Sequence, residues 1–278
     1  VYGNSAITTN SNHKTSNEPI IRVEGLSKDF VQDRKPLAVL HDVNFHALDG
    51  EFVSILGPSG CGKSTLLNII AGLDEQSSGT LNLPNIPSEQ RLGRVGHMHQ
   101  NDLLLPWRSV IDNVILGLEL QGVARLDAKR RAAKMLDVFG LKEFAGEYPH
   151  ALSGGMRQRA SFMRTVLADQ EVFLLDEPFG ALDALSRGQM QEWLLARWES
   201  MDKTIVLVTH DVDEAIFLSD RVYVMTARPG RMKLVEQIDL PRPRTPDMLT
   251  GTAFVAHKAR LLGSIREERA ELREAVPA

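Results

Sequence analysis

Residues 57–65 read Gly-Pro-Ser-Gly-Cys-Gly-Lys-Ser-Thr, which fits G-x-x-x-x-G-K-[ST], a run that cradles phosphate. Ordinary residue usage would give this pattern by accident in roughly one chain in a hundred of this length. The residue types suit the task. Gly57, Gly60 and Gly62 let the backbone approach an anion with its N–H groups turned inward. Lys63 can reach the β- and γ-phosphates of a nucleoside triphosphate, and the Ser64 hydroxyl can ligate Mg²⁺. Ser59, Cys61 and Thr65 complete the run around the anion. Cys61 lies close to a helix N-terminus, a position that can lower a thiol pKa. Alkylation of Cys61 is therefore expected to inactivate the protein, with protection by bound MgATP.

A second run, Leu152-Ser153-Gly154-Gly155-Met156-Arg157-Gln158-Arg159, places a serine and two glycines before a helix whose apolar stripe is Met156, Ala160, Met163 and Leu167. That is either an ordinary N-cap or another anion-receptive helix start. Further on, Val172-Phe173-Leu174-Leu175 ends in Asp176-Glu177, and Ile205-Val206-Leu207-Val208 ends in Thr209-His210. Asp176 is placed to act on Mg²⁺ directly or through water. Pro178 biases Glu177 toward an extended backbone. Its carboxylate would then turn away from Asp176, free to orient or deprotonate an attacking water. A structural ion pair is the competing reading for Glu177.

These groups need elements that bring them together. Phe52–Leu56 reads as a buried strand before the phosphate loop, and Leu66–Ala71 as a helix after it, the context that the loop requires. The two later apolar runs suit parallel strands covered on both faces. Ligands bind off the carboxyl ends of such strands, so the loop, the acidic pair and His210 converge on one sheet edge. Residues 20–30 and 38–48 read as strands around a polar turn at 32–36. From about 101 to 155 the pattern becomes helical. Ser109 opens one helix with Val110, Ile111, Val114, Ile115 and Leu118 inward, and a second runs from about Asp127 to Phe139 and stops at Gly140. After Leu240, Pro-Arg-Pro-Arg interrupts regular structure. A last helix carries Phe254, Leu261, Leu262, Ile265 and Leu272 on one face. The fold class is α/β, with a P-loop NTPase core built on a parallel sheet, an N-terminal antiparallel β subdomain and an inserted helical subdomain.

The chain has 278 residues, 43% of them hydrophobic, with a net charge of −4. Length and composition allow one large α/β domain with a full core. A strong basic excess would mark a nucleic-acid binder, and none is present. No apolar stretch approaches a membrane span and no signal-peptide pattern is evident. A cytosolic chain is expected, with any membrane contact made through a partner. The single cysteine, Cys61, excludes an internal disulfide. Residues 1–19, rich in Asn, Ser and Thr, read as a disordered tail. Two histidines at His97 and His99 fall short of a closed metal site, and a surface strand is the expected context. The apolar loop Leu103-Leu104-Leu105-Pro106-Trp107 either packs inward or forms a docking patch.

The sum of these motifs, in this order, resembles the nucleotide-binding subunits of ATP-binding-cassette (ABC) transporters over residues 20–240. It comprises the phosphate loop, the LSGGMRQR signature, Val172–Pro178 as the acidic Walker B strand, and Gly180-Ala181-Leu182-Asp183 as the D-loop. Gln100 corresponds to the Q-loop glutamine and His210 to the switch histidine that contacts the γ-phosphate. The resemblance implies catalysis by Glu177, His210 and Gln100, and a Mg²⁺ held by Ser64, Gln100 and Asp176. Adenine would stack on Phe30, for which a core position is the alternative. Two copies would pack head to tail, each ATP held by one phosphate loop and the other copy's Ser153-Gly154-Gly155, with Gln158 and Asp183 nearby.

The implied partners are a second copy of this subunit, transmembrane permease subunits and an extracytoplasmic solute-binding protein, with no nucleic acid. The implied location is peripheral, on the cytoplasmic face of the inner membrane. In the family, the segment at Leu103–Trp107 lines a groove for a short permease helix. This segment, the Asp-Asn-Val after it and the short tail look most like the nitrate/sulfonate/taurine group of importers. Related cassette ATPases act on nucleic acid or ribosomes, and those usually carry two cassettes or a long coiled-coil insertion. A P-loop kinase leaves the signature and Gln100 unexplained.

Overall fold

The computed structural model describes residues 18–84, 86–87, 90–201 and 203–275, of which 269–275 are backbone only. The expected tail falls almost wholly outside these residues, as does the side chain of Leu272.

Two long strands, β1 (Pro19–Gln32) and β2 (Lys35–Leu48), form a hairpin. Its turn residues Asp33 and Arg34 both have positive φ, 51° and 62°, as a tight hairpin turn demands. With β4 (Ser78–Asn82) they make an antiparallel sheet of order β2-β1-β4. The larger sheet uses β3 (Phe52–Leu56), β5 (Gly96–Met98), β6 (Val172–Asp176), β7 (Thr204–Thr209), β8 (Arg221–Met225) and β9 (Met232–Gln237). Their order is β5-β6-β7-β3-β8-β9, parallel except for β9.

Strands β3, β6 and β7 are buried at every residue, because both faces of the sheet are covered. Alternation along each strand divides the interior into two cores. Phe52, Leu56, Phe173, Leu175, Ile205 and Leu207 face the helical side. Val53, Ile55, Val172, Leu174, Val206 and Val208 face the small sheet and the helix α1 (Lys63–Ile70).

The segment between β5 and β6 holds α2 (Val110–Val114), α3 (Leu116–Leu120), α4 (Arg125–Leu136) and α5 (Gly154–Leu167). Ser109 caps α2 by accepting the Asp112 N–H, and Val110, Val114, Ile115 and Leu118 are buried as the periodicity predicts. The α4 helix starts two residues before the expected Asp127 and ends in a turn at Gly140, φ 61°. The remaining helices are α6 (Ala184–Glu199), α7 (Val212–Leu218) and α8 (Thr252–Ala275).

Phe254 and Leu261 of α8 are buried as expected, together with His257, which pairs with Glu236 at 2.6 Å. The Pro-Arg-Pro-Arg segment does more than interrupt structure. Arg244 is buried and donates to the carbonyls of Ile216, Phe217 and Ser219 at 2.7–3.0 Å, satisfying the C-terminal end of α7. Arg242 binds Asp220 and stacks over Trp198.

Candidate functional site

The phosphate loop runs from the end of β3 into α1. Gly62 is the N-cap in the left-handed region, φ 109°, and no side chain caps the helix. The first N–H groups of α1 are therefore available to an anion. A Cβ on Gly62 would fall 2.6 Å from Leu40 Cδ2, so sterics and backbone both require glycine there. Lys63 lies along the loop, its Nζ donating to the carbonyls of Gly57 and Pro58, each at 2.8 Å. A cleft of about 190 Å³ is lined by Ser59, Gly60, Gly62, Lys63, Ser64 and Thr65 from the loop region, with Val39, Gln100, Glu177 and Arg228.

The acidic pair follows β6. Asp176 is 4% exposed. Burial pushes its carboxyl above the ordinary range, the Glu177 charge adds to that, and the Ser64 hydroxyl and Lys63 oppose it. Glu177 stands between the other two reactive groups. One carboxylate oxygen accepts from Gln100 Nε2 at 3.3 Å, and the other lies 3.3 Å from His210 Nδ1. Three expected catalytic residues, from the ends of β5, β6 and β7, thus meet at one carboxylate.

The backbone expectation for Glu177 is corrected. Its φ is 48°, left-handed rather than extended. Hydrogen bonds override the preference imposed by Pro178. The Glu177 N–H donates to Val208 O at 2.9 Å, and its carbonyl accepts from Gly180 N and Gln158 Nε2. A non-glycine residue there costs roughly 1–2 kcal/mol, a strain held in place by the surrounding bonds. Asp176 and Glu177 remain close enough to feel each other's charge.

Two further corrections concern side chains. Cys61 is 1% exposed, and burial pushes its thiol up, outweighing the nearby Lys63. The sulfur packs in the core beneath the loop, which disfavours the expected reactive thiolate, and Cys61 is not part of the cleft lining. Gln158 turns inward. Its amide donates to Glu177 O at 2.9 Å and accepts from Ala181 N at 2.7 Å, bracing the turn after β6 rather than meeting a ligand.

The signature residues lie elsewhere. Ser153 caps α5 by accepting the Met156 N–H, and Ser153 and Gly154 are exposed. Neither they nor Gly155 line the chain's own phosphate-loop cleft. A Cβ on Gly155 would press on Ala181 O at 3.3 Å, whereas one on Gly154 would meet only the tip of Arg157 at 3.8 Å. Asp183, also exposed, caps α6 through the Ser186 N–H, a bond that holds its carboxyl below the usual range. Phe30 is 39% exposed, which removes the core alternative. Its ring lies 4.7 Å from Lys28 Nζ, outside the cleft lining.

His97 of the edge strand β5 and His99 just after it bring their rings to 4.0 Å, tilted by 38°. The surface-strand expectation needs amendment, because burial lowers His97 to about 3 and neither of its ring nitrogens has a hydrogen-bond partner. Among the described residues no group of three metal-ligating side chains exists. In the apolar loop, Trp107 is 71% and Leu103 53% exposed. Asn113 fixes this loop, accepting from Leu105 N and donating to the carbonyls of Leu105, Arg108 and Ser109.

Arg228 and the buried Glu214 were not singled out from sequence, and Asn113 entered only as part of the Asp-Asn-Val run, without a structural role. Asn113 sits among apolar helix positions, a pattern that could have signalled its buried hydrogen-bonding role. Arg228 belongs to no motif.

Residues 40–180 match the family model described as ABC transporter. An uncharacterized ABC transporter ATP-binding protein of Methanocaldococcus jannaschii is 42% identical over 248 residues, covering 89% of this chain and 92% of that protein. The taurine import ATP-binding protein of Rhizobium johnstonii is 47% identical over 203 residues, covering 73% and 78%. The aliphatic sulfonates import ATP-binding protein of Bacillus cereus is 41% identical over 225 residues, covering 81% and 88%. Among solved structures, a dimeric ATP-binding cassette in a post-hydrolysis state, bound to ADP and Pi, superposes with a TM-score of 0.73 at 29% identity, covering 80% of this chain and all of that one. This chain therefore belongs to the ABC transporter family, as an ATP-binding cassette whose enzymatic activity is ATP hydrolysis coupled to transport.

Proposed function

We propose that two copies of this chain close head to tail on ATP and MgATP hydrolysis then reopens them, driving a separate membrane permease that imports a small anion. The carrying observation is the exposure of Ser153 and Gly154 outside the chain's own cleft. An anion-receptive helix start with no ligand surface of its own fits a contribution to a second copy's nucleotide. The dimeric cassette among the similar structures supports the same arrangement.

The residues at hand fit both ligands. The uncapped α1 terminus and the left-handed Gly62 present N–H groups to phosphate. The buried Asp176, the Ser64 hydroxyl beside it and Gln100 offer hard oxygen donors suited to Mg²⁺. Bound Mg²⁺ would neutralise phosphate charge and reverse the unfavourable burial of Asp176. Glu177 would hold the attacking water and take its proton, while Gln100 and His210 fix its carboxylate. Lys63 would exchange the Gly57 and Pro58 carbonyls for phosphate oxygens.

The taurine and sulfonate importers among the relatives favour an organic sulfonate or similar anion as the imported solute. That role places the chain on the cytoplasmic face of the inner membrane beside a permease and a solute-binding protein. Exposed Trp107 and Leu103 supply a patch for permease contact, since Trp anchors interface centres. A net charge of −4 disfavours the nucleic-acid alternative.

Sedimentation of Glu177→Gln with MgATP tests the closure. The variant binds ATP, hydrolyses it about 10²–10⁴-fold more slowly, and accumulates as a dimer. A strictly monomeric variant at saturating nucleotide, even beside its permease, overturns the proposal. Uptake of taurine and alkanesulfonates in cells lacking the chain tests the solute class, and unchanged uptake excludes it.

A further inference from the structure

We propose that Arg228 is a nucleotide-binding residue that grips the phosphates nearest the nucleoside, presented by a strap at residues 226–231 between β8 and β9. The inference rests on reading the cleft as an ATP site.

The strap is locked onto the phosphate loop. Thr226 and Arg231 close it, the Thr226 N–H donating to Arg231 O and the Arg231 N–H to Thr226 Oγ1, each at 2.9 Å. Gly230 lies against the loop so closely that a Cβ would fall 2.2 Å from Cys61 O. Gly230 N–H donates to Val39 O at 2.9 Å, and His41 N–H donates to Gly230 O at 3.0 Å. From the other side, Glu268 of α8 accepts the Ala227 N–H at 3.0 Å. Residues 227 and 230 are thus pinned on either side of Arg228.

Arg228 itself is exposed and lines the cleft with Lys63, Ser64 and Thr65. Its Nε and Nη2 donate to Gly60 O at 3.1 and 2.9 Å. A guanidinium carries five N–H donors in a rigid fork, so three remain for a ligand. The Gly60 contact fixes the plane of the fork beside a loop built for anions. Among the described residues Arg228 forms no ion pair with a carboxylate. Bracing a carbonyl needs no charge, and a second cation next to Lys63 repels unless an anion lies between them. Phosphate meets that requirement, and arginine matches it with paired hydrogen bonds.

Position within the cleft selects which phosphates. Glu177 and Gln100, the hydrolytic groups, bond to each other. Arg228 bonds Gly60 rather than either of them, and its strap bonds Val39 on β2. Arg228 therefore serves the nucleoside side, common to ATP and ADP, rather than the bond being cleaved.

The test is calorimetric titration of MgADP and MgATP into wild type, Arg228→Gln and Arg228→Lys, with steady-state ATPase kinetics and thermal melts. Glutamine can still donate to Gly60 O but carries no charge. Arg228→Gln weakens ADP and ATP alike by about tenfold or more, the scale of one hydrogen bond to a charged group. KM rises with it while kcat at saturation holds. Arg228→Lys keeps the charge but loses the paired fork, so its affinity falls between the glutamine variant and wild type, and it serves as the decisive variant if the glutamine protein fails to fold. Wild-type affinity in Arg228→Gln (or in Arg228→Lys, should the glutamine protein not fold), a loss for ATP but not ADP, a fall in kcat at constant KM, or a lysine variant that binds no more tightly than the glutamine variant would each overturn the proposal. Failure of wild type to bind either nucleotide would defeat the ATP reading as well.

Discussion

At the carboxyl ends of β3, β6 and β7 the polar groups meet one another within the chain, whereas at the start of α5 they face outward. Lys63 lies on the Gly57 and Pro58 carbonyls, Asp176 meets the Ser64 hydroxyl, and Glu177 joins Gln100 to His210. Ser153 and Gly154, by contrast, stand exposed, as do Leu103 and Trp107 in the same helical segment. The first region gathers its charged groups from separate strand ends onto one another, the placement on which electrostatic stabilisation of developing charge depends. The second consists of exposed surfaces to which the proposed function assigns partners. One chain thus holds a nearly complete chemical site and, apart from it, an exposed helix start that the proposed dimer would use as its complement.

The sharpest way to break this contrast is Gly154→Asp. A Cβ there meets little within the chain, and an acidic residue in the first turn of a helix is favourable, so the monomer stays folded and binds ATP. If the exposed terminus faces another copy's nucleotide, the new carboxylate repels it, ATP-dependent dimerisation is lost, and hydrolysis falls by about 10²-fold. A variant with normal dimerisation and turnover would make Ser153-Gly154 a plain N-cap.

A second exposed feature gives a smaller effect. Trp107→Ala leaves the melting temperature and ATP affinity unchanged, because the ring is 71% exposed. Permease binding weakens by on the order of 2 kcal/mol, the scale of an interface anchor, and uptake falls with it. Unaltered co-purification with the permease would remove the docking role.

The smallest effect sharpens the interior side. Glu214 of α7 is buried behind His210, and burial, with the Asp211 charge added, pushes its carboxyl up to about 7 against Thr209, Gln191 and Arg187. A raised folded-state pKa means that the folded chain holds its proton more tightly than the unfolded chain. The stabilising contribution is full below the unfolded value near 4.5 and is lost as pH rises to about 7. Glu214→Gln removes that slope, so at pH 8 the variant should be more stable by on the order of 1–3 kcal/mol. Chemical denaturation at pH 5 and pH 8 checks it, and an identical pH dependence in both proteins would contradict it.

Legibility in the sequence followed how narrowly physics restricts a position. Gly62 was readable because the left-handed backbone and the contact with Leu40 leave no other residue possible. The strands β3, β6 and β7 were readable because a sheet covered on both faces needs unbroken apolar runs. The misreadings came from local rules overridden by tertiary contacts. Pro178 argued for an extended Glu177, but the bonds to Val208, Gly180 and Gln158 impose the left-handed form. A helix terminus argued for a reactive Cys61, but the loop buries the sulfur. Arg228 was invisible because its partner, Gly60, is 168 residues away, and no spacing rule spans that distance.

Arg244 has a consequence for the boundaries of the protein. It gathers three carbonyls at the close of α7, and α7 begins two residues past His210. A cut after Leu240 would orphan those acceptors in the interior and loosen α7, the helix that follows His210. The stretch around Arg244 is thus a keystone for α7 rather than an appendage, and any version shortened there must find a substitute cation for the same arch.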